Sequence, residues 1–307
     1  RFLLIALTAL AADLTHRFIE KPFSLKNLSN RQTTKFAVVA TLSGVLVASA
    51  ILLTIKDEIS LPNGRSISIA AVMQKPKIYD EECHANYGDK TSGECLYGDR
   101  NSERKIVLYG DSHAAQWFPA LEKIAIDGGF ALISLTKSAC PAVEVSRIES
   151  GAFKNSDCNA WRKNAIARIQ ELKPEAIIMS SFQHFEYPKS YSSRDSWWFE
   201  GQRTLYRNLV TSSPKLIYIS DTPKPERDIP SCLATAKDNE CDGSERSDPR
   251  VAGGFIALDP TPWLCPDSCP AIVDGVVAYR DASHISVDMS AALSNNLRKF
   301  LISNGVI

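Results

Sequence analysis

A chain of 307 residues that is 44% hydrophobic holds enough apolar surface for one large folded domain or two modest ones. Its 35 basic and 35 acidic residues cancel, so no net field draws in a nucleic acid backbone or a strongly acidic partner. The charge balance therefore argues against nucleic-acid binding.

The chain opens at Arg1 inside an apolar stretch that runs to Ala12 and gives way to Asp13, His16 and Arg17. Residues 1–20 are read as the end of a truncated transmembrane segment, so a larger protein is expected to precede them, and residues 21–35 as a cytoplasmic loop. Phe36 to Ile55 is a run of twenty residues without a charge; at about 1.5 Å per residue it reaches the roughly 30 Å needed to cross hydrocarbon. Residues 36–56 are accordingly expected to be a membrane-embedded helix. Lys21, Lys26, Arg31 and Lys35 crowd its N-terminal side, which by the positive-inside tendency leaves that flank cytoplasmic and the rest of the chain outside. The alternative, a cleaved secretion signal, is disfavoured because the apolar core is too long and an earlier apolar segment precedes it. Ala40, Gly44 and Ala48 form a small-residue stripe that permits close helix packing in lipid.

The eight cysteines fall after this run as sequence neighbours: Cys83 with Cys95, Cys140 with Cys158, Cys232 with Cys241, and Cys265 with Cys269. Neighbour pairing into disulfides in an oxidising compartment is expected, each worth roughly 2 to 4 kcal/mol. A zinc site of Cys232, Cys241, Cys265 and Cys269 is the rival, and it lacks the C-x2-C spacing of such sites. Residues 57–102 are polar and rich in turn signals, among them Pro62, Asn63-Gly64 and Pro76. They are read as an extracytoplasmic linker closed by the first cysteine pair.

Over 103–307 strand and helix patterns alternate. Extended runs are expected at Lys105–Tyr109, Phe130–Leu135, Glu175–Ser180 and Lys215–Ser220, and helices at Ala114–Asp127, Asn159–Leu172, Thr204–Ser212 and Ser290–Ile302. This alternation predicts an α/β fold with a mainly parallel sheet, helices on both faces, and a site at the C-terminal ends of the strands.

Two short segments carry chemistry. Gly110-Asp111-Ser112-His113 follows the first strand, and Asp281-Ala282-Ser283-His284 precedes the last helix. Ser112 on a strand-to-helix turn places a hydroxyl beside free helix N–H groups that can receive an oxyanion. Asp281 and His284, three apart, can point the same way, so the carboxylate binds one ring nitrogen while the other faces the serine. Ser112 is thus the expected nucleophile, His284 the base and Asp281 its orienter; Asp111 is read as a brace or cap of the turn. A competing reading makes Asp111, His113, Asp281 and His284 ligands of a metal-dependent hydrolase. It leaves the serine and its helix without a purpose, and no metal is expected.

These blocks resemble the SGNH hydrolase family, whose first block reads Gly-Asp-Ser and whose last reads Asp-x-x-His. Arg17-Phe18-Ile19-Glu20-Lys21-Pro22-Phe23 followed by one span resembles the end of an acyltransferase-3 membrane domain, to which a periplasmic SGNH domain is fused in one branch. Ser138-Ala139-Cys140-Pro141 is similar to a segment of such fused domains. The resemblance implies an SGNH-like three-layer catalytic domain over 103–307, preceded by a transmembrane helix and linker, in the bacterial inner membrane with the domain periplasmic. It implies O-acylation, usually O-acetylation, of an envelope polysaccharide such as lipopolysaccharide O-antigen. The acyl donor would come from the membrane domain and acetyl-CoA would serve the full-length protein, with no cofactor in the present chain.

One block departs from the family. SGNH enzymes usually draw an oxyanion donor from the asparagine of a Gly-x-Asn motif after the third strand, where this chain reads Ser181-Phe182-Gln183-His184. Gln183 and His184 are the candidate donors, and a polar loop without that role is the alternative. For acceptor binding, Trp117, Trp161, Tyr191, Trp197 and Trp198 could pack sugars or fill the core, with the Trp197-Trp198 pair the better candidate for sugar. An envelope carbohydrate esterase using the same triad and a non-catalytic glycan-binding module are the remaining functional readings.

Overall fold

The computed structural model describes residues 13, 16–17, 21, 30–54, 57–236, 240–245, 250–266 and 268–307. The expected membrane segment at 1–20 and the loop at 21–35 lie mostly outside the described residues. Helix α1 (Asn30–Thr54) covers most of the stretch expected to span, with Val39, Leu42 and Leu46 exposed on it. Among the described residues no helix is long and apolar enough to cross a membrane.

Asp57–Ile307 is one compact unit. Its sheet contains β1 (His84–Ala85), β2 (Leu96–Gly98), β3 (Lys105–Gly110), β4 (Ala131–Lys137), β5 (Ala176–Ser180), β6 (Lys215–Ile219) and β7 (Ile256–Leu258). The spatial order is β7-β6-β5-β3-β4-β1, with every neighbouring pair parallel; β2 alone runs antiparallel, against β4. The α/β architecture with a mainly parallel sheet is as expected. The register aligns Gly110 with Thr136 on one side and with Ser180 on the other, so the central strands end together and open a crevice at their carboxyl ends.

Along β3, successive side chains alternate between two cores, as the two-residue period of a strand dictates. Ile106 and Leu108 pack with Leu121 and Ile124 of α3 (Phe118–Gly128) and with Leu297 and Leu301 near the C-terminus. Val107 and Tyr109 pack on the other face with Trp161 of α4 (Asn155–Leu172) and Trp197, Trp198 and Leu205 of α5 (Arg194–Leu209). Each fully buried side chain of this size contributes about 1.5 to 3 kcal/mol. The structure therefore has helices on both faces of the sheet, in three layers.

Three expectations are corrected by packing. Residues 57–102 are not a connector outside the domain: they supply β1 and β2, and they place Ile59, Val72 and Ile78 in the core. Trp197 and Trp198 are fully buried, each indole N–H donating to a main-chain carbonyl, of Ser146 and Arg250 respectively; Trp117 and Trp161 are also fully buried. All four tryptophans are core, not sugar platforms. The helix expected at Thr204–Ser212 begins ten residues earlier, where Ser193 and Ser196 form a reciprocal capping box that supplies the start signal.

All four neighbouring cysteine pairs are disulfides. This pairing removes the zinc alternative, because its four sulfurs are bonded in pairs.

Candidate active site

The segment after β3 is shaped by Gly110 and Asp111. Gly110 adopts φ +148°, and a Cβ there would collide with the Ser180 carbonyl oxygen of β5, so the close approach of the two strand ends requires glycine. Asp111 caps the short helix α2 (Ser112–Ala115), accepting the His113 amide N–H at 2.8 Å. Its other oxygen accepts the Phe182 amide at 3.1 Å, tying the end of β5 to the same turn. Burial raises the Asp111 carboxyl to about 6 despite these bonds. Helix α2 stops after one turn and α3 restarts at Phe118, with Pro119 in its first turn, where a missing N–H costs nothing.

Asp281 and His284 lie on a turn closed by the Arg280 amide donating to the His284 carbonyl at 2.9 Å. The Asp281 carboxylate accepts the amides of Ser283 (2.8 Å) and His284 (2.7 Å), and its other oxygen lies 2.8 Å from His284 Nδ1. Burial opposes its charge, but the His284 contacts outweigh it and hold this carboxyl well below the usual range. His284 Nε2 lies 2.8 Å from Ser112 Oγ. The structure thus brings together Ser112, His284 and Asp281 in one hydrogen-bonded chain. Gln116, one turn beyond the serine, accepts the Ile285 amide at 2.9 Å and locks the histidine segment onto the serine helix.

A second histidine pair stands behind the first. His113 is buried, its Nδ1 is 2.6 Å from Asp221 Oδ1, and its ring centre lies 4.4 Å from that of His284. Burial presses the His113 ring toward neutrality, but the Asp221 carboxylate outweighs it and raises the ring's proton affinity. For His284 the balance is reversed: burial and then the His113 charge outweigh Asp281 and lower it to about 4. The ring beside the serine is consequently a free base at neutral pH.

The serine opens into a cleft of about 410 Å³. Its walls include Ser138 and Ala139 after β4, the aromatic rings of Tyr79, Tyr87, Phe182 and Phe185, and the cations Lys75 and Arg280. Ala139 adopts φ +55°, a conformation that turns its backbone sharply where the chain leaves the strand. Gln183 and His184 do not line this cleft. Gln183 is fully buried, its amide N–H donates to Asp221 Oδ2 at 2.9 Å, and its side-chain amide has no partner. The His184 ring packs 5.4 Å from that of Phe182. Gln183 is thereby tied into the support of the β5 end. Asp111 and Asp221 are committed to amides and to His113, and among the described residues no group of three or more metal-type ligands is gathered.

The sequence had not singled out Asp221, Arg280, Gln116, or the 75–87 segment as parts of the site. Asp221 follows β6 just as Ser112 and Phe182 follow their strands, so the strand-end rule was the one available signal for it. A serine, a histidine and a carboxylate in line at the strand ends of a parallel α/β domain form an arrangement that serine acyl-transfer chemistry can use. The profile of the SGNH domain fused to AT3 domains matches residues 82–299, and the chain belongs to that family. Among solved structures it is similar to the periplasmic domain of a lipopolysaccharide acetyltransferase from Salmonella ser. Paratyphi A (15% identity, 76% of this chain and 99% of that one, TM-score 0.54). A putative acylhydrolase from Bacteroides fragilis NCTC 9343 is a more distant match (12% identity, 70% and 93%, TM-score 0.39). No curated protein matches in sequence.

Proposed function

We propose that the chain is the periplasmic serine domain and a membrane anchor of an O-acyltransferase that acetylates a cell-envelope polysaccharide such as lipopolysaccharide O-antigen. The observation that carries this reading is the unbroken chain Ser112 Oγ, His284 Nε2, His284 Nδ1, Asp281, with both links at 2.8 Å, facing an open cleft. Membership of the family fused to AT3 domains supports transfer from a membrane donor, and the four disulfides fit an oxidising compartment. The uncharged run from Phe36 continues past the described end of α1 to Ile55, and in this reading it anchors the domain beside its acyl source, which raises effective concentration to roughly millimolar. Acetyl-CoA would be the cytoplasmic source for the full-length protein.

In the first half-reaction the Ser112 hydroxyl donates its proton to His284 Nε2 as Oγ bonds to the acyl carbon. His284 Nδ1–H donates to Asp281, which stabilises the resulting imidazolium. The oxyanion is received by backbone N–H groups. Ser112 is the first residue of its helix, so its amide lacks an intrahelical acceptor, and Ala139 in the cleft wall is the second candidate. The leaving group departs with the proton from His284, leaving an acyl-Ser112 ester. In the second half-reaction a sugar hydroxyl gives its proton to His284, attacks the ester carbon and releases Ser112, which recovers the proton.

Mass spectrometry of the purified protein after incubation with an acyl donor tests this reading: it should show an adduct of acyl mass on Ser112, which moves to an added glycan. Free acid without acylated glycan would overturn transfer in favour of an esterase. No adduct, with no labelling of Ser112 by a fluorophosphonate, would overturn the serine mechanism and leave the glycan-binding reading.

A further inference from the structure

The base side of the cleft carries a charge imbalance that the triad does not use. Arg280 is 4% exposed, lines the cleft, and its Nε has no hydrogen-bond partner. The approach of its Nη1 to Asp281 Oδ2 is 3.9 Å, beyond hydrogen-bonding reach, and that carboxylate is already engaged by His284 and two amides. Lys75, exposed at the rim, brings a second cation. Its Nζ is 5.2 Å from the Tyr79 ring centre, and the Arg280 guanidinium carbon is 5.8 Å from the same ring. Tyr79 itself is held by stacking on His84 at 4.1 Å. Among the described residues, Asp281 is the only carboxylate in the wall of this cleft. The buried Arg280 guanidinium has the Tyr79 side chain and, at longer range, the Asp281 carboxylate beside it, which leaves its Nε–H unused, and its planar fork fits a further carboxylate.

We infer that Lys75 and Arg280 form an anion-binding subsite beside Tyr79 that receives the carboxylate of an acidic acceptor sugar. This deepens the acyltransfer reading and rests on it for the word acceptor. The placement argues for the acceptor over the acyl group: Arg280 adjoins Asp281, the orienter of the ring that takes the sugar proton, so an anion held there lies on the incoming-hydroxyl side. The rim position of Lys75 fits a saccharide extending into solvent. Fixing one ring substituent at two cations would orient the neighbouring hydroxyl toward His284 Nε2.

The test uses the full 307-residue chain in detergent and a matched pair of O-acetyl sugars, methyl glucuronoside and methyl glucoside, whose deacetylation reads the second half-reaction in reverse. The expected result is about a tenfold higher kcat/KM for the glucuronoside, equal to about 1.4 kcal/mol. That preference should weaken at 0.5 M salt, fall in Lys75→Gln, vanish in Arg280→Gln and return in part in Arg280→Lys. A ratio near one in the native protein, or a preference that survives Arg280→Gln, overturns the subsite. So does a preference that follows a succinyl ester of methyl glucoside, which would place the anion on the acyl side. Calorimetric binding of unacylated methyl glucuronoside against methyl glucoside to the same protein separates the two proposals. Selective glucuronoside binding without turnover of either ester or labelling of Ser112 keeps the subsite and ends the serine mechanism; equal or absent binding ends the subsite alone.

Discussion

The two histidine–aspartate pairs use the same bond, imidazole Nδ1 to carboxylate, and shift the proton affinity of their rings in opposite directions. His284 and Asp281 are three residues apart on a turn at the cleft, with 2.8 Å between them. His113 and Asp221 are 108 residues apart, almost fully buried, and 2.6 Å apart. In the inner pair the carboxylate prevails and the ring's proton affinity rises; in the outer pair burial and the neighbouring His113 ring prevail, and His284 falls to about 4. A hydrogen bond to a carboxylate is therefore not enough to set a histidine's protonation. What decides is the balance of desolvation and neighbouring charge, and here one pair tunes the other.

The sharpest break between the pairs is expected in turnover. Ser112→Ala or His284→Ala should lower kcat by about 10⁶, and Asp281→Asn by about 10⁴ by favouring the wrong tautomer of the ring, in each case measured with an activated acetyl ester. The inner pair should instead control stability: Asp221→Asn should cost about 3 to 5 kcal/mol by leaving a buried ring without its counter-ion, read from urea unfolding, whereas Asp281→Asn should cost far less. Comparable stability losses in the two variants would erase the distinction.

The coupling between the pairs is tested by pH. His284 must be neutral to accept the serine proton, so kcat/KM should fall as pH drops through about 4. His113→Asn removes the adjacent cation, protonation of His284 becomes easier, and the acid limb should move to higher pH. An unmoved limb in that variant would show that burial alone sets the outer ring. The smallest effect is expected from Gln116→Ala, which removes the tie to the Ile285 amide. A loss of roughly tenfold in kcat with the acid limb unchanged would mark a positioning residue, in line with about 1 kcal/mol for one hydrogen bond.

Most of the central architecture was readable because its signals are local. The runs KIVLY, EAIIMS and KLIYIS became β3, β5 and β6, and the helix expected at Asn159–Leu172 is α4 with its start moved to Asn155. The strands that escaped notice, β1, β2 and β7, are two or three residues long. Such elements have no period to detect and exist because a neighbouring strand supplies hydrogen bonds. Residues 57–102 read as a linker because their polar turns dominate the sequence, while the few apolar residues that dock, Ile59, Val72 and Ile78, are too scattered to form a pattern.

Cysteine neighbours, the serine turn and the Asp-x-x-His turn are written in residues close along the chain, where backbone geometry leaves few arrangements, and the sequence was sufficient to name them. Folding chose what no short window contains: that Trp197 and Trp198 fill the core while Tyr79 and Arg280 face the cleft, that Gln183 supports a strand end instead of the serine, and that Asp221 meets His113. These outcomes depend on burial and on charges brought together from distant strand ends, and such interactions come into being only when the sheet has assembled.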